Sequence, residues 1–143
     1  MNTKIKQIHK KLKVKSTTDN LSRIRDFIHQ TAMECKLPKE KIGDIILAVD
    51  EACTNVIKHA YKYSPEGEID IDIKCKNNRF YVIITDKGEK FDITLIPEPD
   101  LEKYHKEKRV GGLGIFLMRK LMDEVKYSHL SGNRNRVTLI KYL

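Results

Sequence analysis

The sequence predicts an α+β domain, a two-layer sandwich in which a mixed, mainly antiparallel sheet carries helices on one face. Three observations point there. Residues 68–75 alternate strictly, with Ile69, Ile71, Ile73 and Cys75 on one side and Glu68, Asp70, Asp72 and Lys74 on the other, the period of a half-buried strand. An Asn77-Asn78 turn signal separates this run from a second, more apolar one over 79–86, so the pair is expected to be antiparallel. Between residues 21 and 60 the apolar positions recur instead at helical spacing.

The elements follow in order. Over 4–15, six lysines interleave with Ile5, Ile8, Leu12 and Val14, which suits an edge strand whose charges discourage further pairing. The cluster Thr17-Thr18-Asp19-Asn20 offers helix N-cap residues, and Leu21, Ile24, Phe27, Ile28, Thr31 and Ala32 then share a helix face. Pro38 is expected in the first turn of a second helix, where its missing N–H costs nothing. That helix keeps one apolar stripe from Ile42 to about Tyr61, and the turn residues 64–67 end it. After the strand pair, periodicity fades over 87–110, with Pro97 and Pro99 in the middle, and a loop of this length is usually functional. Glycines at 111, 112 and 114 launch a third helix through Leu121-Met122, and strands over 124–130 and 136–143 finish the sheet.

Composition bounds the function. At 143 residues one domain is expected to fill the chain, 1–143, and 40% hydrophobic residues suffice for its core. No apolar run approaches the roughly 20 residues that span a bilayer. The first ten residues lack the apolar stretch of a secretory signal, so a cytoplasmic protein away from the membrane is expected. Cys35, Cys53 and Cys75 are odd in number and far apart, and read as free thiols. The net charge of +8 raises the possibility of nucleic acid, but the basic residues are scattered and no aromatic stacking platform accompanies them, so no direct nucleic-acid contact is expected.

Three segments carry chemistry. Glu51 and Asn55 lie four positions apart and therefore stack on one helix face, where they offer a base and a neutral oxygen ligand. Magnesium takes few protein oxygens and completes its shell with waters or phosphates, which one Asn carbonyl would allow. Lys58 and His59 follow one turn on and can meet phosphate oxygens. Asp86 closes a strand ahead of Gly88, where a carboxylate can accept from an exocyclic amino group and a residue without Cβ lets a flat ring approach. The turn Gly111-Gly112-Leu113-Gly114 presents free N–H groups at a helix N-terminus, a place that favours anions. Together these pieces outline an ATP site. Neither the G-x-x-x-x-G-K-[ST] loop nor a G-x-G-x-x-G after a strand is present, so the common nucleotide folds are not indicated.

The E-x-x-x-N helix, the D-x-G-x-x-F turn ending at Phe91 and the G-x-G helix start resemble, in this order, the N and glycine boxes of the GHKL (histidine-kinase-like) ATPase superfamily. The wording is most similar to the small serine/threonine kinases that act as bacterial anti-sigma factors. The strings are VDEACTN over 49–55, KHAY over 58–61, GGLGIFL over 111–117 and LMDEV over 121–125. The resemblance implies that Glu51 is the general base and that Asn55 binds magnesium. It also implies that Asp86 and Gly88 hold adenine, and that Arg109 with Gly111, Gly112, Leu113, Gly114 and Ile115 clamps phosphates under an ATP lid at about 87–112. Where the family has a Gly-Thr before the last strand, this chain reads Gly132-Asn-Arg-Asn-Arg-Val, which leaves Thr138 to stand near adenine. Implied partners are a STAS-type anti-anti-sigma protein as phosphorylation substrate, a sigma factor, and a second copy in a homodimer. The competing expectation is a non-catalytic or weakly hydrolytic ATP-binding switch for another regulator.

Overall fold

A computed structural model describes residues 7–90 and 113–143. Most of the expected lid, residues 91–112 with Phe91, Arg109, Gly111 and Gly112, lies outside the described residues.

Five strands form one sheet in the order β1-β2-β3-β5-β4. They are β1 (Ile8–Lys15), β2 (Glu68–Lys76), β3 (Arg79–Asp86), β4 (Glu124–Leu130) and β5 (Arg134–Tyr142). All four pairings are antiparallel, so the described sheet is antiparallel throughout rather than mixed. Alternation fixes its two faces. Ile69, Ile71, Ile73, Phe80, Val82, Ile84 and Leu139 are buried towards the helices. The other face carries Lys11, Lys13 and Lys15 of β1 opposite Asp72, Asp70 and Glu68 of β2. Their ion pairs lie at 3.5–3.8 Å and are exposed, so they add little energy. They do select register, because a slip of one residue would turn every isoleucine of β2 outward and set lysine against apolar side chains. Lys11, Lys13 and Lys15 therefore lie along the sheet's open face, paired with acids, whereas Lys10 falls on the helix side and pairs with Glu34 of the first helix at 2.6 Å.

The β2–β3 hairpin turns on Asn77 and Asn78, at φ 54° and 59°, the positive pair that a type I′ turn requires and that asparagine tolerates best after glycine. Among the described residues three helices cover the inner face: α1 (Leu21–Glu34), α2 (Lys39–Asn55) and α3 (Leu113–Leu121). A short 3-10 turn, Thr18–Asn20, precedes α1, and Asn20 does not cap it. Its amide instead donates to the Lys15 carbonyl at 2.9 Å, tying the helix start to the end of β1. Pro38 is the cap of α2, with φ −62° and ψ 147°, one position ahead of the expected first turn. The stripe Ile42, Ile45, Ala48, Val49, Ala52 and Cys53 is buried as its spacing predicts. The α geometry stops at Asn55, earlier than periodicity suggests, and widens into a π turn over Val56–Ala60. The Tyr61 amide closes it on the Val56 carbonyl at 3.0 Å. Because Val56, Ile57 and Ala60 remain buried through the widened turn, the apolar pattern alone does not reveal the change.

Burial pushes the Cys35 thiol up to about 12, and Cys53 and Cys75 are raised as well; all three are free and buried. Among the described residues no helix is long and apolar enough to cross a membrane.

Candidate functional site

The end of α2, the end of β3 and the start of β5 converge. Glu51 and Asn55 stand one turn apart at the edge of the buried stripe, both half-buried. The first turn of α3 closes on the same face: at Gly114 an added Cβ would run into the Glu51 carboxylate, so only glycine leaves that carboxylate its place. Burial raises the Glu51 carboxyl above its ordinary range, and neighbouring Asp50 raises it further. A carboxylate shifted in this direction is a stronger base than one in water.

Asn55 is the last residue before the π turn, and its Nδ2 is buried with no hydrogen-bond partner. An unpaired buried amide costs about 1–3 kcal/mol. Single π turns recur at functional sites, where they re-aim side chains. Nothing among the described residues accepts from this nitrogen. Among the described residues no group of three His, Cys, Asp or Glu is placed to hold a metal alone. An amide oxygen is the kind of donor that a hard divalent cation takes beside the oxygens of a bound anion. Lys58 and His59 project from the π turn and are exposed. Partial burial of the ring, and then Lys58, hold the His59 imidazole below its ordinary value, so near neutral pH it is a neutral hydrogen-bonding group.

Asp86 is 4% exposed at the end of β3. Its Oδ1 accepts from the Gly88 N–H at 2.9 Å and from Asn135 Nδ2 at 2.9 Å. Burial raises this carboxyl, while the Asn135 and Gly88 donors pull it back down. Gly88 touches the π turn so closely that a Cβ would sit 2.5 Å from the Ala60 carbonyl oxygen. The Glu89 amide donates to that same oxygen at 2.8 Å. Tyr61 completes the fastening: its hydroxyl donates to the Glu68 carbonyl at 2.6 Å and accepts from the Lys87 amide at 2.8 Å. Asp86 and Asn55 thus line one small pocket with Ala52, Val56, Tyr127 and Asn135.

The sequence-derived residues divide accordingly. Glu51, Asn55, Asp86, Gly88 and Gly114 come together, with Lys58 and His59 at the rim. Leu113 opens α3, and the Ile115 side chain belongs to the core at 5% exposure, so only its backbone remains for a ligand. Thr138 does not join them. It lies one residue past Val137 on β5 and alternation turns it to the open face, opposite Ile83 and Lys126, so it does not line the pocket. The residue at that place is Asn135, directly opposite Asp86 in the β3–β5 register. Sequence reasoning missed it because Gly132-Asn-Arg-Asn-Arg reads as a turn, and the strand was expected from 136 rather than from Arg134. Its signal was the alternation itself: Val137 and Leu139 face inward, and two residues before Val137 stands Asn135.

Residues 14–141 match the sequence profile of the histidine kinase-like ATPase domain. The serine-protein kinase RsbW of Bacillus subtilis (strain 168) is 36% identical over 137 residues, 92% of this chain and 84% of that protein. RsbW of Listeria monocytogenes is 36% identical over 108 residues, 73% of this chain and 68% of that protein. In fold, the chain is similar to the RsbU and RsbW domains of a Mycobacterium tuberculosis protein, with a TM-score of 0.68, 17% identity, and coverage of 95% of this chain and 32% of that one. An α+β layer of this topology, with a carboxylate and an amide on one helix against a glycine helix start, is that of an ATP-binding domain. The chain belongs to the histidine kinase-like ATPase domain family, among the relatives of the serine-protein kinases RsbW.

Proposed function

We propose that this chain is an ATP-dependent protein serine/threonine kinase that works as an anti-sigma regulatory factor. It transfers the γ-phosphoryl group of ATP to a Ser or Thr of a STAS-type anti-anti-sigma protein and sequesters a sigma factor, acting as a cytoplasmic homodimer. The observation that carries the reading is the Glu51 carboxylate, raised by burial and lodged against Gly114, one turn from the unpartnered amide of Asn55.

Glu51 takes the proton of the acceptor hydroxyl. Asn55 would hold magnesium through its amide oxygen, and the ion would offset phosphate charge. Asp86 accepts from the amino group of adenine, and Gly88 leaves room for the ring. Lys58 and His59 stand where phosphate oxygens pass. Phosphorylation adds roughly −1.5 to −2 charges to the partner, which weakens its docking and frees this protein for sigma factor.

The test is capture on immobilised protein from the native cell, with ATP and magnesium and then with ADP. A sigma factor and a small protein phosphorylated on Ser or Thr are expected to alternate with nucleotide. Identical captures under both nucleotides, with no phosphorylated partner, would instead support a non-catalytic switch.

A further inference from the structure

Cys35 and Cys75 are 0% and 1% exposed, and neither lines the nucleotide pocket. Cys35 caps the C-terminal end of α1, where its N–H donates to the Thr31 carbonyl at 3.0 Å. Cys75 lies near the end of β2, opposite Ile8 of β1 and Phe80 of β3. That corner of the sheet is remote from Asp86, whose partner on β2 is Ile69. An ion pair draws α1 and the sheet together there. Lys10 Nζ lies 2.6 Å from Glu34, the residue before Cys35, and Lys10 pairs across the ladder with Ile73, the neighbour of Cys75 on the same face. The two thiols meet in a hydrogen bond. Cys53 is just as buried, on α2, but the group that acts on it is Asp50 and not a second thiol.

A disulfide needs two Cβ atoms about 3.5–4.5 Å apart, a spacing that thiols already in contact reach by small shifts. Both cysteines sit at ends of elements, where such shifts come most easily. We propose that Cys35 and Cys75 are a disulfide-forming pair, oxidised by low-molecular-weight disulfides, and that the bond staples the end of α1 to β2. Burial keeps both groups protonated in the closed protein, so the reaction starts when the corner frays. Ile8 is the first residue of β1, and loss of its pairing uncovers Cys75. The Cys75 thiolate attacks one sulfur of the small disulfide, which forms a mixed disulfide and expels one small thiolate. The Cys35 thiolate then attacks the Cys75 sulfur, the protein S–S bond forms, and the second small thiolate leaves. The two protons from the cysteines end on the two departing thiolates, so the protein loses two electrons and the small disulfide gains them. The bond closes a loop that holds all of α2 and the π turn, and its constraint falls on the unfolded chain.

The test is independent of the nucleotide reading. The full chain is incubated with oxidised glutathione under native conditions, remaining thiols are alkylated, and proteolytic peptides are weighed. The expected product carries a Cys35–Cys75 cross-link, lighter by two hydrogens, with Cys53 alkylated. Its thermal unfolding midpoint should rise by at least about 5 °C over the reduced protein and return with dithiothreitol. Cys53→Ala should behave in the same way, whereas Cys35→Ala and Cys75→Ala should form no cross-link and melt alike with and without oxidant. Three alkylated thiols in the treated parent, a stable glutathione adduct on Cys35 or Cys75, or a bond to Cys53 would each overturn the pairing, and this map decides it even where a variant fails to fold. A cross-linked protein that melts no higher than the reduced one would overturn the staple.

Discussion

Asn55 and Asp86 line one pocket but differ in what each has left unsatisfied. Asn55 has an amide whose nitrogen is partnerless, whereas Asp86 has one oxygen filled by two donors, and the proposed roles as metal ligand and as adenine acceptor differ accordingly. Calorimetry should separate them: Asn55→Ala is expected to weaken ATP binding only when magnesium is present, and Asp86→Asn to weaken it with or without the metal. Equal losses for both variants under both conditions would contradict the division. Asp86→Asn carries a second expectation. The Asp86 carboxyl lies above its unfolded value of 3.8 in the folded protein. Its stabilising contribution is therefore complete below that value and is lost as pH rises through the folded one, so at pH 7.5 the buried carboxylate opposes folding. The ligand-free Asp86→Asn protein should unfold at a higher temperature than the parent at pH 7.5, and this advantage should disappear in acid. At this scale the sequence was legible where a motif spacing carried the chemistry, as at Glu51, Asn55 and Asp86. It was illegible at Asn135, whose role comes from standing opposite Asp86 across a ladder 49 residues away in the chain.

Between elements, the decisive contact is that of α2 with the start of α3. Gly43 and Gly114 are both helical glycines in different surroundings: nothing lies within 4 Å of a Cβ at Gly43, whereas one at Gly114 meets the Glu51 carboxylate. Gly43→Ala should therefore stabilise the protein by about 1 kcal/mol, because a helix interior favours Ala over Gly. Gly114→Ala should gain no more than that in stability, yet it should depress phosphoryl transfer by at least about tenfold, because the group displaced is the proposed base. Melting curves and initial rates for the two variants check this, and a Gly114→Ala protein as active as Gly43→Ala would show that Glu51 has room to work elsewhere. Element types were readable because the periods of 2 and 3.6 are unambiguous over 68–86 and 21–55. The π turn was not readable, since its apolar residues continue the α pattern while only the hydrogen bonds change, from Ala60 and Tyr61 back to the residues five earlier.

For the molecule as a whole, the sheet order places β5 between β3 and β4, which carries the start of β5 to the end of β3 and makes a pocket from segments far apart in sequence. Alternation predicted two faces, and the helices cover the one that it marks as apolar. Strand order could not be read from periodicity, which fixes faces but not neighbours. The central claim is that these parts make a kinase rather than a nucleotide sensor. Its most direct test is a single-turnover reaction of γ-labelled ATP, magnesium and a STAS-type acceptor protein with the parent chain and with Glu51→Gln. The account predicts label on a Ser or Thr of the acceptor with the parent chain, and a rate lower by about two to four decades for Glu51→Gln at unchanged ATP affinity. Label recovered only as inorganic phosphate, or transfer at equal rates by both proteins, would contradict it.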